Sequence, residues 1–439
     1  MNFNQFFALA KEKGISESQI QVSKSKALSI SLFRREIEDF RVNESQNVIA
    51  AGIVNGKFGS SLTEKLGKDT FDFLTDRILL AARLNEKKEE ADIFKGSEKY
   101  HKKNVYNPAL AAVPTEEKLA LIQKIESKLY DADPRVAEVE VEYSEHESSS
   151  EFYNSFGLKL KQKSNYFYVV ASVVMRDGEA TKNNWKVVLD KDLSALNVDE
   201  FVAEVVDGAA KKFGADSIAS KKYPTVLDRD VMASLVNYFL SSAIADEVQR
   251  HTSMLEGKLG QKIASSKLTI EEKPLEKNVF FSYFDGEGVA TRNKVVVKNG
   301  VLKTYFYNRE TAKKDGVEST GNGTWGGGKV GTGYGNVFVK PGKQSFDELI
   351  ADIKDGVYIT DVAGLGTGMN ATSGDFSCQA EGFHIVDGKV AEPLTLITLS
   401  GNLLKMLKDL KGFANDAKMT LGSISIASAY IKSMNIGGK

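Results

Sequence analysis

Two segments in the first half of this 439-residue chain run through the same order of elements at an offset of roughly 119 residues, a duplication that restricts the fold more than any single motif. The first opens with FNQFFALAKEKG, whose Phe3, Phe6, Phe7 and Leu9 cluster on one helical face. Three β-like runs follow, SQIQVSKSK, LSISLFRREIEDFRVNE and NVIAAGIVNGKFGSSLTE, and the helix DTFDFLTDRILLAARLN closes the segment. The second repeats that order as TEEKLALIQKIESKLYDA, then VAEVEVEYSEH, SSSEFYNSFGLKLKQKS and YFYVVASVVMRDGEATKN, then VDEFVAEVVDGAAKKFGA. VNGK at 54–57 and RDGE at 176–179 sit at matching places as hairpin turns. One helix–meander–helix unit would leave a sheet face uncovered, so the two are expected to pack together, with KKNVYNPALAAVPT as their connector.

A second domain is expected after KKYPT, because Pro224 resists helix continuation. LDRDVMASLVNYFLSSAIADEVQRHTSMLEG then reads as one long amphipathic helix with Met232, Leu235, Val236, Phe239, Leu240, Ala243 and Val248 as its buried stripe. NVFFSYFDGEGVAT, KVVVKNGVLKTYFYN, GVYITDVAG and EGFHIVDGKVAEPLTLITLSGN read as strands with glycine-rich loops between them. Short helices around FDELIADI and NLLKMLKDL interrupt these, and ISIASAYIKSMNI reads as a last strand. The expected fold class is α+β: duplicated N-terminal helix and antiparallel-sheet units, followed by a β-rich C-terminal domain with a long helix at its start. Domains are placed at 1–222, with units at about 1–100 and 115–220, and at 223–439.

Hydrophobic residues at 42% and charged residues at 27% suit large cores rather than disorder. Lys plus Arg (58) nearly cancels Asp plus Glu (59), so direct nucleic-acid binding starts without electrostatic support. The one cysteine, Cys378, excludes a disulfide framework within the chain. MNFNQFFALAKEKG does not read as a secretory signal and no run is apolar enough to span a bilayer, so a cytoplasmic location is expected.

The glycine-rich STGNGTWGGGKVGTGYGN contains G-x-G-x-x-G at Gly321, Gly323 and Gly326, yet NVFVKPGK follows it where a phosphate loop needs a helix. A flexible surface loop, or a flap lining a cleft, is the expectation instead. The four histidines, His101, His146, His251 and His384, include no pair spaced for a zinc helix. Glu247 and His251 lie four apart and read as a solvent-facing pair rather than cation ligands. Cys378 near His384, or a serine of 372–377, would be the material for nucleophilic catalysis, but their spacing predicts no geometry, and Asp375 reads as the acceptor of an Asx turn.

Five ordered motifs carry a resemblance to a known family: KYPTVL (222–227), EGKLGQKIAS (256–265), FFSYFDGEGVATRNKVVVKNGVLKTYFYNRETAKK (280–314), STGNG (319–323) and SGDFSCQAEGFHIVDGKVAEPLTLITLSGNLLKML (373–407). In these the sequence resembles the TldD/PmbA family, also called the modulators of DNA gyrase, and within it the PmbA (TldE) branch. The resemblance implies a dimeric assembly in which a TldD subunit carries a metal-dependent peptidase site and a PmbA subunit completes the substrate chamber. The metal helix of the TldD branch, H-E-x-x-x-H, corresponds here to VNYFLS at 236–241, and no histidine lies between His146 and His251. The family's additional cysteine ligand falls near Leu421, far from Cys378.

The resemblance therefore implies no catalytic and no metal-binding residue in this chain, with zinc or iron on a TldD-like partner. It places Asn237, Ser241, Asn308, Arg309, Thr320, Gly321, Asn322, Gly323 and Asp375 in the lining of the substrate chamber. The partners it implies are a TldD-like catalytic subunit, a second copy when the chain is alone, and unstructured peptides as substrates, with no membrane. The other readings are an independent cysteine or serine hydrolase, a non-catalytic peptide-binding protein, and a gyrase modulator.

Overall fold

The computed structural model describes residues 2–86 and 91–439. In its first half α1 (Asn4–Glu12) is followed by β1 (Glu17–Phe33), β2 (Glu36–Val54), β3 (Lys57–Thr63) and α2 (Thr70–Leu84). After a short α3 (Pro108–Ala112) the order recurs as α4 (Thr115–Ala132), β4 (Val136–Asn154), β5 (Lys159–Asp177), β6 (Ala180–Asp190) and α5 (Val198–Ala210). The six strands form one antiparallel sheet, β3-β2-β1-β4-β5-β6, so the two units meet at β1·β4 about a pseudo-two-fold axis.

Strand alternation decides which face the helices take. On β1 the even-numbered Ile20, Val22, Ile30 and Leu32 point the same way. The first pair packs under α1 and α2 with Phe6, Leu74 and Ile78, and the second under α4 and α5 with Ile125, Leu129 and Val205. Two cores thus lie side by side on one face of a common sheet.

The strand boundaries differ from the sequence expectation in both units: in the second, VAEVEVEYSEH and the start of SSSEFYNSFGLKLKQKS are one strand, Val136–Asn154, and the chain reverses before Lys159. In the first, SQIQVSKSKALSISLF is a single strand, and the chain reverses inside LFRREI, where Arg34 and Arg35 adopt φ of 52° and 68°. Neither residue favours that region, and tertiary partners hold it: Arg34 pairs with Glu138 at 2.8 Å and the Arg35 N–H donates to Glu126 at 2.7 Å. The expected turns at Asn55–Gly56 and Gly178 are present, with positive φ.

The second half begins with β7 (Lys221–Leu227), α6 (Arg229–Ser242), α7 (Ala245–Gln249), β8 (Ile270–Glu272), β9 (Lys294–Lys298), β10 (Val301–Leu302) and α8 (Arg309–Asp315). It continues with β11 (Gly323–Gly326), β12 (Lys329–Thr332), β13 (Val337–Val339), α9 (Phe346–Ile350), β14 (Asp355–Ala363), α10 (Leu365–Gly368), β15 (Asp375–Val386) and β16 (Lys389–Asn402). α11 (Leu403–Lys408), β17 (Leu410–Phe413), β18 (Lys418–Met419), β19 (Ile424–Ile426) and β20 (Ala429–Gly437) follow. Two six-stranded sheets result, β10-β9-β8-β13-β19-β18 and β16-β15-β14-β7-β20-β17, and α6 packs against β19 of one and β14 of the other. Pro224 lies inside β7, opposite a bulge in β20, where an interior strand tolerates a missing N–H.

Two further expectations are corrected. The long helix breaks after Ser242, because Ile244 is extended and the backbone on either side pairs with Phe306. His251 therefore lies beyond α7, with φ of 61°, and bonds Glu256 at 2.6 Å rather than Glu247. NVFFSYF is not a strand: Phe281, Tyr283 and Phe284 insert separately against Phe152 and Leu160 on the helix-free face of the N-terminal sheet, joining the two halves of the molecule.

Candidate functional site

After Phe284 the chain folds around the side chain of Asp285, whose Oδ1 accepts the N–H groups of Glu287 and Val289, both at 2.9 Å, while Oδ2 accepts that of Gly323 at 2.8 Å. Glu287 Oε2 accepts the N–H of Arg309 at 2.8 Å. Both carboxyls are buried, and burial raises both above the ordinary carboxylate range, Glu287 further because the Asp285 charge lies beside it. The two acids converge on Gly323, where a Cβ would lie 2.6 Å from Glu287 Oε2 and 3.0 Å from Asp285 Oδ2, so only glycine fits.

From Gly323 the glycine-rich stretch runs as the hairpin β11–β12, turning at Gly327–Gly328. The expectation of a flexible loop is thus replaced by a ribbon docked onto the N-terminal sheet. Trp325 donates its indole N–H to the Gly286 carbonyl at 2.7 Å and stacks on Phe58 of β3 at 6.4 Å between ring centroids. Ser60 donates to the Gly328 carbonyl at 2.7 Å. Glycine permits this close approach of backbone to backbone, while the tryptophan supplies the apolar contact.

Between β3, the end of α2, the 91–101 segment, α8 and the hairpin tip lies a cavity of about 1190 Å³. Phe58, Leu84, Phe94 and Val330 contribute apolar wall, and Glu287 and Arg309 are polar groups in its lining. The Arg309 guanidinium holds the 91–101 segment, donating to the Asp92 carboxylate at 2.6 Å and its carbonyl at 3.1 Å and lying over the Phe94 ring at 5.3 Å. Tyr100 donates to the Gly288 carbonyl at 2.7 Å, so the segment also ties down the acid loop. A volume of this size, whose lining mixes apolar side chains with charged ones such as Lys99, Arg292 and Lys329, suits a chain-like ligand better than a small ion.

Of the nine residues the resemblance placed in the lining, Arg309 alone lies on this cavity. Asn308 is buried and caps α8 in a reciprocal capping box with Thr311. Thr320 and Asn322 belong to a buried polar network behind the cavity, with a bond of 2.6 Å between them. The Asn322 amide donates to Glu272 Oε1 at 2.8 Å and its carbonyl accepts from Lys294 at 3.0 Å, and Lys294 also pairs with Glu272. Gly321, with φ of 72°, lets the chain pass against the backbone of Ala290 and Thr291, where a Cβ would meet atoms at 3.0 Å and 3.1 Å.

Asn237 and Ser241 come together elsewhere, one turn apart on α6, through the phenol of Tyr334. That hydroxyl donates to Asn237 Oδ1 at 2.8 Å and lies 3.0 Å from Ser241 Oγ. Tyr334 follows β12, so the ribbon that borders the cavity at its tip leads to α6 at its base. Asp375 is remote and exposed; its carboxylate accepts from Ser373 and Asn402 side chains, and Asn370 rather than Asp375 accepts the backbone N–H groups of an Asx turn.

Cys378 is a buried residue of β15 with its sulfur 3.6 Å from the Leu399 carbonyl, and burial pushes its thiol up to about 11. His384 bonds Asp355 at 2.8 Å, six residues along the same strand from the thiol, or roughly 20 Å at strand rise. No thiol–imidazole pair forms.

The residues that sequence reasoning missed are Asp285, Glu287, Glu272, Lys294, Trp325 and Tyr334. The signal for the first two was present in FDGEG, since two acids inside an apolar, glycine-bounded run have to be satisfied internally.

The sequence of residues 220–438 matches the PmbA/TldA metallopeptidase C-terminal domain, and that of residues 108–213 matches the central domain of the same family. A metalloprotease of Methanothermobacter thermautotrophicus is 33% identical over 299 residues, covering 65% of this chain and 64% of that protein. A metalloprotease PmbA homolog of Haemophilus influenzae is 24% identical over 98% of this chain and 94% of its own length. The crystal structure of a Thermotoga maritima protein put forward as a modulator of a DNA gyrase superimposes with a TM-score of 0.91 at 28% identity, over 99% of each chain. This chain belongs to the PmbA/TldD metallopeptidase family, in its PmbA/TldE branch.

Proposed function

We propose that this chain is the PmbA/TldE-type partner subunit of a TldD-like metallopeptidase, completing a chamber for unstructured peptides without holding the catalytic metal itself. The observation that carries this reading is the donor set on α6. At the place corresponding to the family's metal helix, Val236 is apolar and fully buried, and Asn237 and Ser241 are engaged with the Tyr334 phenol. A neutral amide, an aliphatic hydroxyl and a phenol do not fit a zinc or iron centre of imidazole and thiolate. The metal, which would activate water for peptide hydrolysis, is assigned to the TldD-like subunit.

The part left to this chain is to hold and orient peptide. The cavity beside Glu287 and Arg309 supports that part, its volume of about 1190 Å³ being enough to take several residues of a peptide. The assembly is a dimer, with a second copy when the chain is alone and with the catalytic paralogue in the cell, and the compartment is the cytoplasm. Among the described residues no helix is long and apolar enough to cross a membrane. Independent hydrolysis by Cys378 has no support in a buried thiol with no base at hand, and direct DNA binding has none in a balanced charge of 58 against 59.

Co-expression with a TldD-like protein tests the proposal, through metal analysis and digestion of unfolded peptides by each subunit and by the pair. Cleavage confined to the pair, with metal only on the other subunit, is expected. Purified chain that retains a transition metal and cuts peptides unaided overturns it.

A further inference from the structure

Asp285 and Glu287 are neighbours, but the backbone around them treats them differently. Asp285 accepts three N–H groups, from Glu287, Val289 and Gly323, and uses both of its oxygens to do so. Glu287 accepts one, from Arg309, on Oε2. Each N–H that a carboxyl accepts favours its charged form, and two neighbouring buried carboxylates disfavour each other, so Asp285 holds the charge and Glu287 the proton. The charged groups of α8 do not reverse this order: the Arg309 guanidinium engages Asp92 and Phe94, and Glu310 adds a further negative charge.

That proton sits on an oxygen with no partner inside the chain. Glu287 is only 9% exposed, yet among the described residues no hydrogen bond engages its Oε1. The sealed and unbonded side-chain atoms of the described residues are Gln21 Oε1 and Thr360 Oγ1, so Glu287 Oε1 is open, and the space beside it is the cavity that Glu287 lines. An O–H in this position is a donor held ready for an acceptor on whatever fills the cavity.

We propose that Glu287 contacts bound peptide directly, its Oε1–H donating to a backbone carbonyl oxygen in the cavity. The inference rests on the peptide-holding part assigned above and names the residue and atom that do the holding. A carbonyl fits better than a carboxylate because the Asp285 charge beside the donor repels an anion. Every residue of an extended chain offers a carbonyl, so the contact fixes the main chain without selecting side chains. It favours unstructured chain over folded protein, whose carbonyls are already engaged.

Equilibrium dialysis of the full chain against a pool of decapeptides tests it. The pool is randomised over uncharged residues, dansylated at the N-terminus and amidated at the C-terminus, so that changes of charge belong to the protein. Binding should weaken about tenfold as pH rises from 6 to 9, because Oε1 turns from donor to acceptor. Glu287→Gln keeps a donor beside an acceptor for the Arg309 N–H, so it should bind as the unaltered chain does at pH 6 and lose the slope. Lys99, His101, Arg292 and Lys329 share the cavity wall, and this variant, which keeps them all, separates their titration from that of Glu287. Glu287→Leu should bind about tenfold more weakly at pH 6, with far-UV circular dichroism to verify folding; if it does not fold, the glutamine profile decides alone. A free carboxyl terminus in place of the amide should bring no gain. A slope that persists in Glu287→Gln, or equal affinity in all three proteins, removes Glu287 from the contact and leaves peptide holding intact. Tighter binding of the free-acid pool overturns the carbonyl as acceptor. No binding by the unaltered chain at any pH overturns both this contact and the reading it rests on.

Discussion

Trp325 and Phe58 stand 267 positions apart in the chain and stack at 6.4 Å between ring centroids, one on the glycine hairpin and the other on β3. Replacing Trp325 by alanine removes this contact and the indole hydrogen bond to Gly286. A loss of about 2 kcal/mol is expected from the aromatic pair and the bond together. Limited proteolysis is the sharper check, since the variant should be cut at 326–329 under conditions that leave the unaltered hairpin intact.

Glu287 makes stability depend on pH in a stated direction. Burial and the Asp285 charge beside it push its carboxyl up, so above the ordinary glutamate range the folded chain keeps a proton that the unfolded chain has released. The folded state then binds more protons, and stability falls as pH rises through that window and levels off above it. The slope for one proton is at most about 1.4 kcal/mol per pH unit. Urea midpoints measured from pH 5 to 9 should show the fall, and Glu287→Gln should flatten it; an equal slope in the variant assigns the proton elsewhere.

The Glu272–Lys294 pair is nearly inaccessible, with side chains 3% and 8% exposed, and Asn322 bonds to both partners. Removing one charge strands the other, so Lys294→Met should cost about 3–5 kcal/mol. Glu272→Gln combined with Lys294→Met should cost less than the sum of the two single changes. Chemical denaturation of the four proteins gives the coupling directly, and additive losses would mean that the two side chains do not sense each other.

Cys378→Ala should leave peptide cleavage by the assembled pair unchanged and cost about 1 kcal/mol in stability, the thiol being a small buried packing group. In the folded chain the thiol should react with a disulfide reagent far more slowly than in urea. Loss of cleavage with retained folding would return the thiol to consideration as a nucleophile.

The sheet of the first half was legible in the sequence because period-2 alternation, two helical periods and turn residues such as Asn55 and Gly56 all agree. The reversal at Arg34 and Arg35 was not, because its conformation depends on Glu126 and Glu138 rather than on local propensity. The helix break at Ile244 likewise has no proline or glycine to mark it; the backbone of Phe306 captures it. At the candidate site, motif resemblance pointed to 236–241 and 319–323, and both segments form polar clusters. Of the cavity wall the resemblance named Arg309 alone; the side facing it was out of reach of sequence reading, since Arg309 finds its partner Asp92 at a separation of 217 residues.

The seam between the two repeats also orders events in time. β1 finishes at Phe33, but the strand that closes its inner edge spans 136–154. A growing chain leaving the ribosome therefore carries half a sheet with one raw margin for more than a hundred further residues. Such distant pairing is slow to form and open to misassociation, so nascent-chain protection is needed most between synthesis of the first repeat and emergence of residue 154.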